Sequence, residues 1–151
     1  MNTRADFAKN KNAQGVNCAQ AIALAYQDLV SVEPKYLYQM AEGFGGGMGQ
    51  MQQTCGLLTG LYLIVGLLFS DGDMEKGQTK SVTYEKVRSL HHAFKQEFGA
   101  VDCLELLHGE KPGSKKCHDK FPRACKIFEA FLAQNNMEFP ENPSFLLDKR
   151  N

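Results

Sequence analysis

The chain carries no surplus of either charge: 17 lysines and arginines face 17 aspartates and glutamates across 151 residues. Without a basic excess there is no electrostatic footprint for nucleic acid or an anionic membrane, and no nucleic-acid partner is expected. Long apolar runs are missing too. The most apolar stretch, Gly56 to Phe69, is shorter than the ~20 residues of a spanning helix. Thr59, Gly60 and Gly66 also interrupt it. It reads as a buried helix, and no stable membrane insertion is expected. The first residues, "MNTRADFAKNKNAQG", lack the apolar core of a signal peptide, so a cytoplasmic, reducing location is expected.

Several chemical signatures are also absent. No C-x-x-C or H-x-x-x-H pair occurs, and "SKKCH" at 114–118 has Ser114 where covalent haem attachment needs a cysteine. The glycine segment "GFGGGMG" at 43–49 fails the dinucleotide fingerprint: a register beginning at Gly43 ends on Met48, and one beginning at Gly45 ends on Gln50. No lysine lies between Lys35 and Lys76 to complete a phosphate-binding loop. No serine or carboxylate constellation suggests hydrolysis. Neither an alternating strand pattern nor an internal repeat is present, which leaves an all-α chain.

What is present is helical periodicity. At this length the chain is expected to be a single domain, 1–151, burying about two-thirds of its unfolded surface. Apolar residues from Val16 to Val30 recur at three and four, predicting one amphipathic helix over 3–30 with Cys18 at the edge of its apolar face. Pro34 fits the first turn of a second helix, 34–42. A third is predicted over 55–69, capped by Thr54 and with Cys55 in its first turn. A fourth, 79–98, turns Tyr84, Val87, His91, Phe94 and Phe98 inward and stops at Gly99. A fifth, 100–108, carries Cys103. In the last, Asp119 is expected as cap and Pro122 in the first turn, with Cys117 just outside and Cys125 buried beside Phe121, Phe128 and Leu132. The tail, 137–151, reads as an extended strap docking Phe145 and Leu146. The expected fold is thus a bundle of five to six helices around a central apolar helix.

Five cysteines, at 18, 55, 103, 117 and 125, do not form a static disulfide framework in a reducing compartment, and the odd count leaves one unpaired. A thiol in the first turn of the third helix meets the positive end of the helix dipole, which favours its thiolate, while an apolar setting opposes it. Glycines 43–49 permit a sharp turn beside that thiol, and Gly56 and Gly60 permit close helix approach. These glycines admit a purely structural role as well as a functional one. Cys103, His108, Cys117 and His118 lie near enough in sequence for a metal site, and His91 or His118 is a candidate base for a cysteine nucleophile.

The pieces "NCAQAIALAY" at 17, "GFGGGMG" at 43, "CGLLTG" at 55, "FGAVDCLELL" at 98 and "KKCHDK" at 115 together resemble the four-cysteine redox family C_GCAxxG_C_C, in the family's order over nearly the whole chain. The resemblance implies that Cys18, Cys55, Cys103 and Cys117 form the family's cysteine set, with Gly56 and Gly60 as its motif glycines. Leu57 departs from the family's alanine, and Cys125 matches no family cysteine. The expected activity is that of a thiol-based oxidoreductase performing dithiol/disulfide exchange, with Cys55 attacking and a neighbour resolving. An electron carrier or sensor holding an iron-sulfur cluster or another metal through the same four thiolates is the alternative. A non-catalytic helical binding module is the third reading. The redox partner is not encoded in any recognisable motif, and homodimer formation is left open.

Overall fold

In the computed structural model, which describes residues 3–148, the first helix opens on a reciprocal cap. The Thr3 hydroxyl accepts from the Asp6 backbone N–H, and the Asp6 carboxylate accepts from the Thr3 N–H. This helix, α1, is short, Arg4–Ala13. The single helix expected over 3–30 is broken because Gly15 takes φ +100°, outside helical space. A second capping box then restarts the chain: Asn17 Oδ1 accepts from the Gln20 N–H at 2.9 Å, and Gln20 Oε1 accepts from the Asn17 N–H at 3.2 Å. Helix α2, Cys18–Leu24, follows. Cys18 is therefore the first residue of a helix rather than an edge position within a longer one.

Helix α3, Pro34–Ala41, begins on its proline as expected. Helix α4 spans Gly56–Phe69, one residue later than predicted, so Cys55 is its N-cap residue. Thr54 does not cap it, being engaged in an isolated antiparallel bridge with Asp102. Helix α5, Lys80–Phe98, ends on Gly99 in the left-handed conformation. Only its second half is well covered: Leu90 and Phe94 are fully buried, whereas Tyr84, expected inward, is 57% exposed. Helix α6 is Cys103–Leu107 and helix α7 Lys115–His118. Asp119 terminates α7 and does not start α8, Phe121–Gln134, whose N-cap position is Lys120. The described residues thus contain eight α-helical segments rather than five or six, because breaks at Gly15 and around Ser114 create extra short helices.

The fold is an all-helical, single-domain bundle, and among the described residues only the Thr54–Asp102 bridge has β pairing. Helix α4 packs against α2, α5 and α8; α2 also contacts α1 and α3, and α1 contacts α8. Their shared core includes Ile22, Leu58, Leu61, Ile64, Leu90, Phe94 and Phe128. No described helix is long and apolar enough to cross a membrane.

The C-terminal segment lies back on α1. Leu146 is buried, and the Phe145 ring stands edge-on to Phe7 with centroids 5.1 Å apart. Positions 149–151 of the predicted strap lie outside the described residues. Arg4, only 2% exposed, fixes this arrangement. Its guanidinium donates to both Asp28 carboxylate oxygens at 2.6 and 2.8 Å, to the Ala25 carbonyl at 2.6 Å and to the Pro140 carbonyl at 2.8 Å.

Helices α2 and α4 pack with no room for a side chain between them at Gly60. A β-carbon on Gly60 would lie 2.6 Å from the Ala19 carbonyl oxygen and 2.6 Å from Ile22 Cγ2. Gly66 has open space around it. Gly60→Ala should therefore destabilise by about 1–3 kcal/mol through overpacking. Gly66→Ala, at an equally helical position, should stabilise by about 0.5–1 kcal/mol. Denaturant midpoints of the two variants against the parent protein check this contrast.

Candidate thiol site

Four short pieces of structure converge beside the glycine turn. Cys18 enters at the start of α2, Cys55 as N-cap of α4, Cys103 as the first residue of α6, and Cys117 from α7. All four line one partly open cavity of about 520 Å³. Cys125 does not line it and is buried on α8 instead, where the Tyr26 hydroxyl donates to its carbonyl at 3.3 Å. Each of the five thiols is free.

The backbone explains the convergence. Around the Thr54–Asp102 bridge, the Cys55 N–H donates to the Val101 carbonyl at 2.8 Å and the Cys103 N–H to the Gln53 carbonyl at 2.6 Å. Side chains alternate across such a pairing, so Cys55 and Cys103 project on the face opposite Thr54 and Asp102. Cys18 arrives through the α2–α4 contact. Its sulfur fills the space that a Gly56 side chain would need, since a β-carbon there would collide with Cys18 Sγ. The first motif glycine is thus a seat for a sulfur adjacent to Cys55.

The glycine segment supplies the opposite wall. Residues 46–50 all have positive φ, between 61° and 76°, and Gln52 has φ 55°. Five consecutive left-handed residues require glycine at most positions, and Met48, Gln50 and Gln52 adopt this conformation against the usual steric penalty for L-residues. The turn is closed by long-reach bonds, with the Gln52 N–H donating to the Gly46 carbonyl at 3.1 Å and the Gln53 N–H to the Gly47 carbonyl at 2.9 Å. It leaves no room for side chains against the thiols: a β-carbon on Gly47 would lie 2.7 Å from Cys103 Cβ.

Burial decides the ionisation of these thiols. Cys55 is 8% exposed and Cys103 6%. Burial pushes Cys55 up to about 12, and the neighbouring sulfurs, Cys18 foremost, push the same way. The lowering expected from the α4 dipole is therefore outweighed, because the site at Cys55 is closed rather than open to water. Burial also raises Cys103, to about 11, with Cys117 and Cys18 adding to it and the Gln52 side chain opposing. Cys18, half-buried, is raised by burial but is partly relieved by the backbone N–H of Gly46. Helix amides also serve the sulfurs, Leu57 for Cys55 and Ala19 for Cys18, but Gln52 and the Gly46 amide are the partners that the glycine segment supplies. Neither carried a sequence signal, because their positions depend on the left-handed turn.

The histidines lie elsewhere. His91 Nδ1 is hydrogen-bonded to the Tyr62 hydroxyl at 3.0 Å, and neither His91 nor His118 lines the thiol cavity. His108 borders a different cavity with Phe98 and Arg123. Among the described residues no group of three or more His, Cys, Asp or Glu side chains has metal-binding geometry. The proposed metal grouping of Cys103, His108, Cys117 and His118 is not assembled, and the four cysteine thiols as they stand do not enclose a common centre.

These environments make the native state prefer protonated thiols at Cys55, Cys103 and Cys125, the last also raised by burial to about 12. Their contribution to stability is fully present below the unfolded thiol pKa of about 8.5 and is lost as pH rises toward the folded values. Urea midpoints should fall between pH 8 and pH 10.5, with a shallower fall in Cys125→Ala. Alkylation of the native reduced protein should label Cys18 and Cys117 before Cys55, Cys103 and Cys125, as read by peptide mass spectrometry after a short pulse.

The arrangement of free thiols around one cavity can be set beside known proteins. No curated protein and no solved structure matches the chain. A family model does, over residues 16–135, from just before Cys18 to just past α8, and it is described as "Putative redox-active protein (C_GCAxxG_C_C)". With most of its length matched, and with Cys18, Gly56, Gly60, Cys103 and Cys117 in the geometry described above, the chain belongs to the C_GCAxxG_C_C family of redox-active proteins.

Proposed function

We propose that the protein performs reversible dithiol/disulfide exchange, with Cys18, Cys55, Cys103 and Cys117 as one redox centre. The observation that carries this reading is that four free thiols, brought from four separate segments, line one cavity while the fifth is packed away from it.

The burial pattern supports a change in the order of events suggested by the sequence. Cys55 is too deeply buried and too reluctant to ionise to meet an external disulfide first. Cys18 is half-buried, with the Gly46 N–H available to hold its negative charge. In the forward direction the Cys18 thiolate attacks a substrate sulfur, forms a mixed disulfide and releases the first substrate thiolate. Cys55, whose backbone neighbour Gly56 seats the Cys18 sulfur, then gives up its proton and attacks Cys18 Sγ. That step closes a Cys18–Cys55 disulfide and releases the second substrate thiolate. Two electrons pass to the substrate, and the two thiol protons end on its two sulfurs. Cys103 and Cys117 form a second couple on the same cavity, able to reduce the Cys18–Cys55 disulfide by the same exchange while becoming a disulfide themselves.

A metal cluster held by the same thiolates would need at least three of them around a common centre, an arrangement the described side chains lack. Iron and sulfide analysis of anaerobically prepared protein is the check on that alternative. For the exchange reading, Cys55→Ser should trap the mixed disulfide on Cys18 and slow intramolecular closure at least about tenfold, because the resolving sulfur is gone. Cys125→Ser should close normally. Non-reducing peptide mapping after oxidation checks both. Closure at an unchanged rate in Cys55→Ser would remove Cys55 from the mechanism, and five thiols inert to every oxidant would leave a helical binding module.

A further inference from the structure

The exchange reading leaves the substrate unnamed, and the shape of the cavity restricts it. Resting on that reading, we infer that the substrate is a low-molecular-weight disulfide with amino-acid-like polar arms, bound inside the cavity, rather than a disulfide displayed on a folded protein.

Reach is the first argument. A disulfide in a folded protein brings two backbones with it, their Cα atoms about 5.5–6 Å apart, so its sulfurs are met best by a thiol at the surface. Here the thiols stand in a recess. Cys55 and Cys103 are almost fully buried, and Cys18 lies between the start of α2 and the glycine turn. At about 520 Å³ the recess falls within the range of small-molecule sites, roughly 300–1,000 Å³. A slender symmetrical or mixed disulfide can carry its sulfur in to Cys18, whereas a folded domain is stopped at the rim.

Lining chemistry is the second. Gly45, Gly46 and Gly49 line the cavity with backbone, and its lining is mixed: Leu57, Leu106 and Leu107 are apolar, whereas Asn17, Glu42, Gln50 and Lys120 are polar, Lys120 being close enough to Cys103 to favour its thiolate. Lys120 is half-buried, held by a bond from Nζ to the Lys116 carbonyl at 3.0 Å, which leaves two of its three ammonium protons for a ligand. A carboxylate on one arm of the substrate finds Lys120, and an ammonium group finds Glu42. An apolar disulfide would use only the leucine wall and would leave Lys120 and Glu42 without a charged partner.

The chemistry balances as above: each turnover oxidises two protein thiols to one disulfide and reduces one small disulfide to two small thiols. The experiment uses the full-length reduced protein. Its oxidation by oxidised glutathione, by 2-hydroxyethyl disulfide and by the disulfides of insulin is followed by quenching and mass spectrometry. Each rate is divided by that of the same disulfide with free cysteine, so that intrinsic reactivity cancels. The small disulfides should react at least about tenfold faster on this scale than insulin, and glutathione disulfide should lead. Lys120→Gln should slow glutathione disulfide several-fold and leave 2-hydroxyethyl disulfide unchanged, a split that a general loss of folding would not produce. Insulin reacting as fast as the small disulfides would overturn the substrate assignment while leaving exchange intact. Equal slowing of both small disulfides in Lys120→Gln would remove the amino-acid-like arm from it. Failure of any oxidant, diamide included, to close an intramolecular disulfide would overturn the exchange reading itself, and this inference with it.

Discussion

The contact on which the thiol site depends is the approach of α2 to α4 through Gly56 and Gly60. One glycine removes the side chain that would strike the Ala19 carbonyl, and the other leaves the space that Cys18 Sγ fills. Separating these helices by the width of a methyl group would withdraw Cys18 from Cys55 and open a gap beneath Ile22 and Leu61. The same two residues therefore serve the core and the site. A close helix crossing is usually discussed as a packing device; here it also seats the Cys18 sulfur beside Cys55.

How far this could be read from the sequence varied with the type of interaction. Helices α3, α5 and α8 were legible because each carries a local marker: Pro34 at the start of α3, Gly99 after α5, Pro122 in the first turn of α8. The break between α1 and α2 was hidden because the apolar spacing continues past it, although Gly15 and the Asn17–Gln20 capping pair were present as signals. The cysteine set was found through the family's pattern, and spacing alone would not have gathered residues from 18 to 117. The inner wall of the site was out of reach. Met48, Gln50 and Gln52 take left-handed conformations that no propensity favours, held by hydrogen bonds that exist only when the whole turn is closed.

The ionisation of Cys55 shows two local rules in competition. A residue at a helix N-terminus sees partial positive charge worth a fraction of a kcal/mol to about 2 kcal/mol. Removing a thiolate from water costs more when almost nothing replaces the water, and Cys55 is 8% exposed with three other sulfurs around it. Position in the helix is visible in a sequence, whereas burial is a property of everything packed around the residue. Local reasoning consequently named Cys55 as the attacking thiol, whereas tertiary structure buries it.

The Arg4 clamp carries a consequence for the order in which the chain assembles. Its bond to the Pro140 carbonyl joins residues 136 apart, a loop that spans nearly all of the described residues. Asp28 and the Ala25 carbonyl are available as soon as α2 has formed, but the fourth acceptor comes only with the C-terminal segment. During synthesis, which proceeds at about 5–20 residues per second, this guanidinium waits several seconds for its Pro140 acceptor while the α1 face beneath Phe145 stays uncovered. Helix α1 is made before α2 to α8 and is among the last of them to reach its final environment.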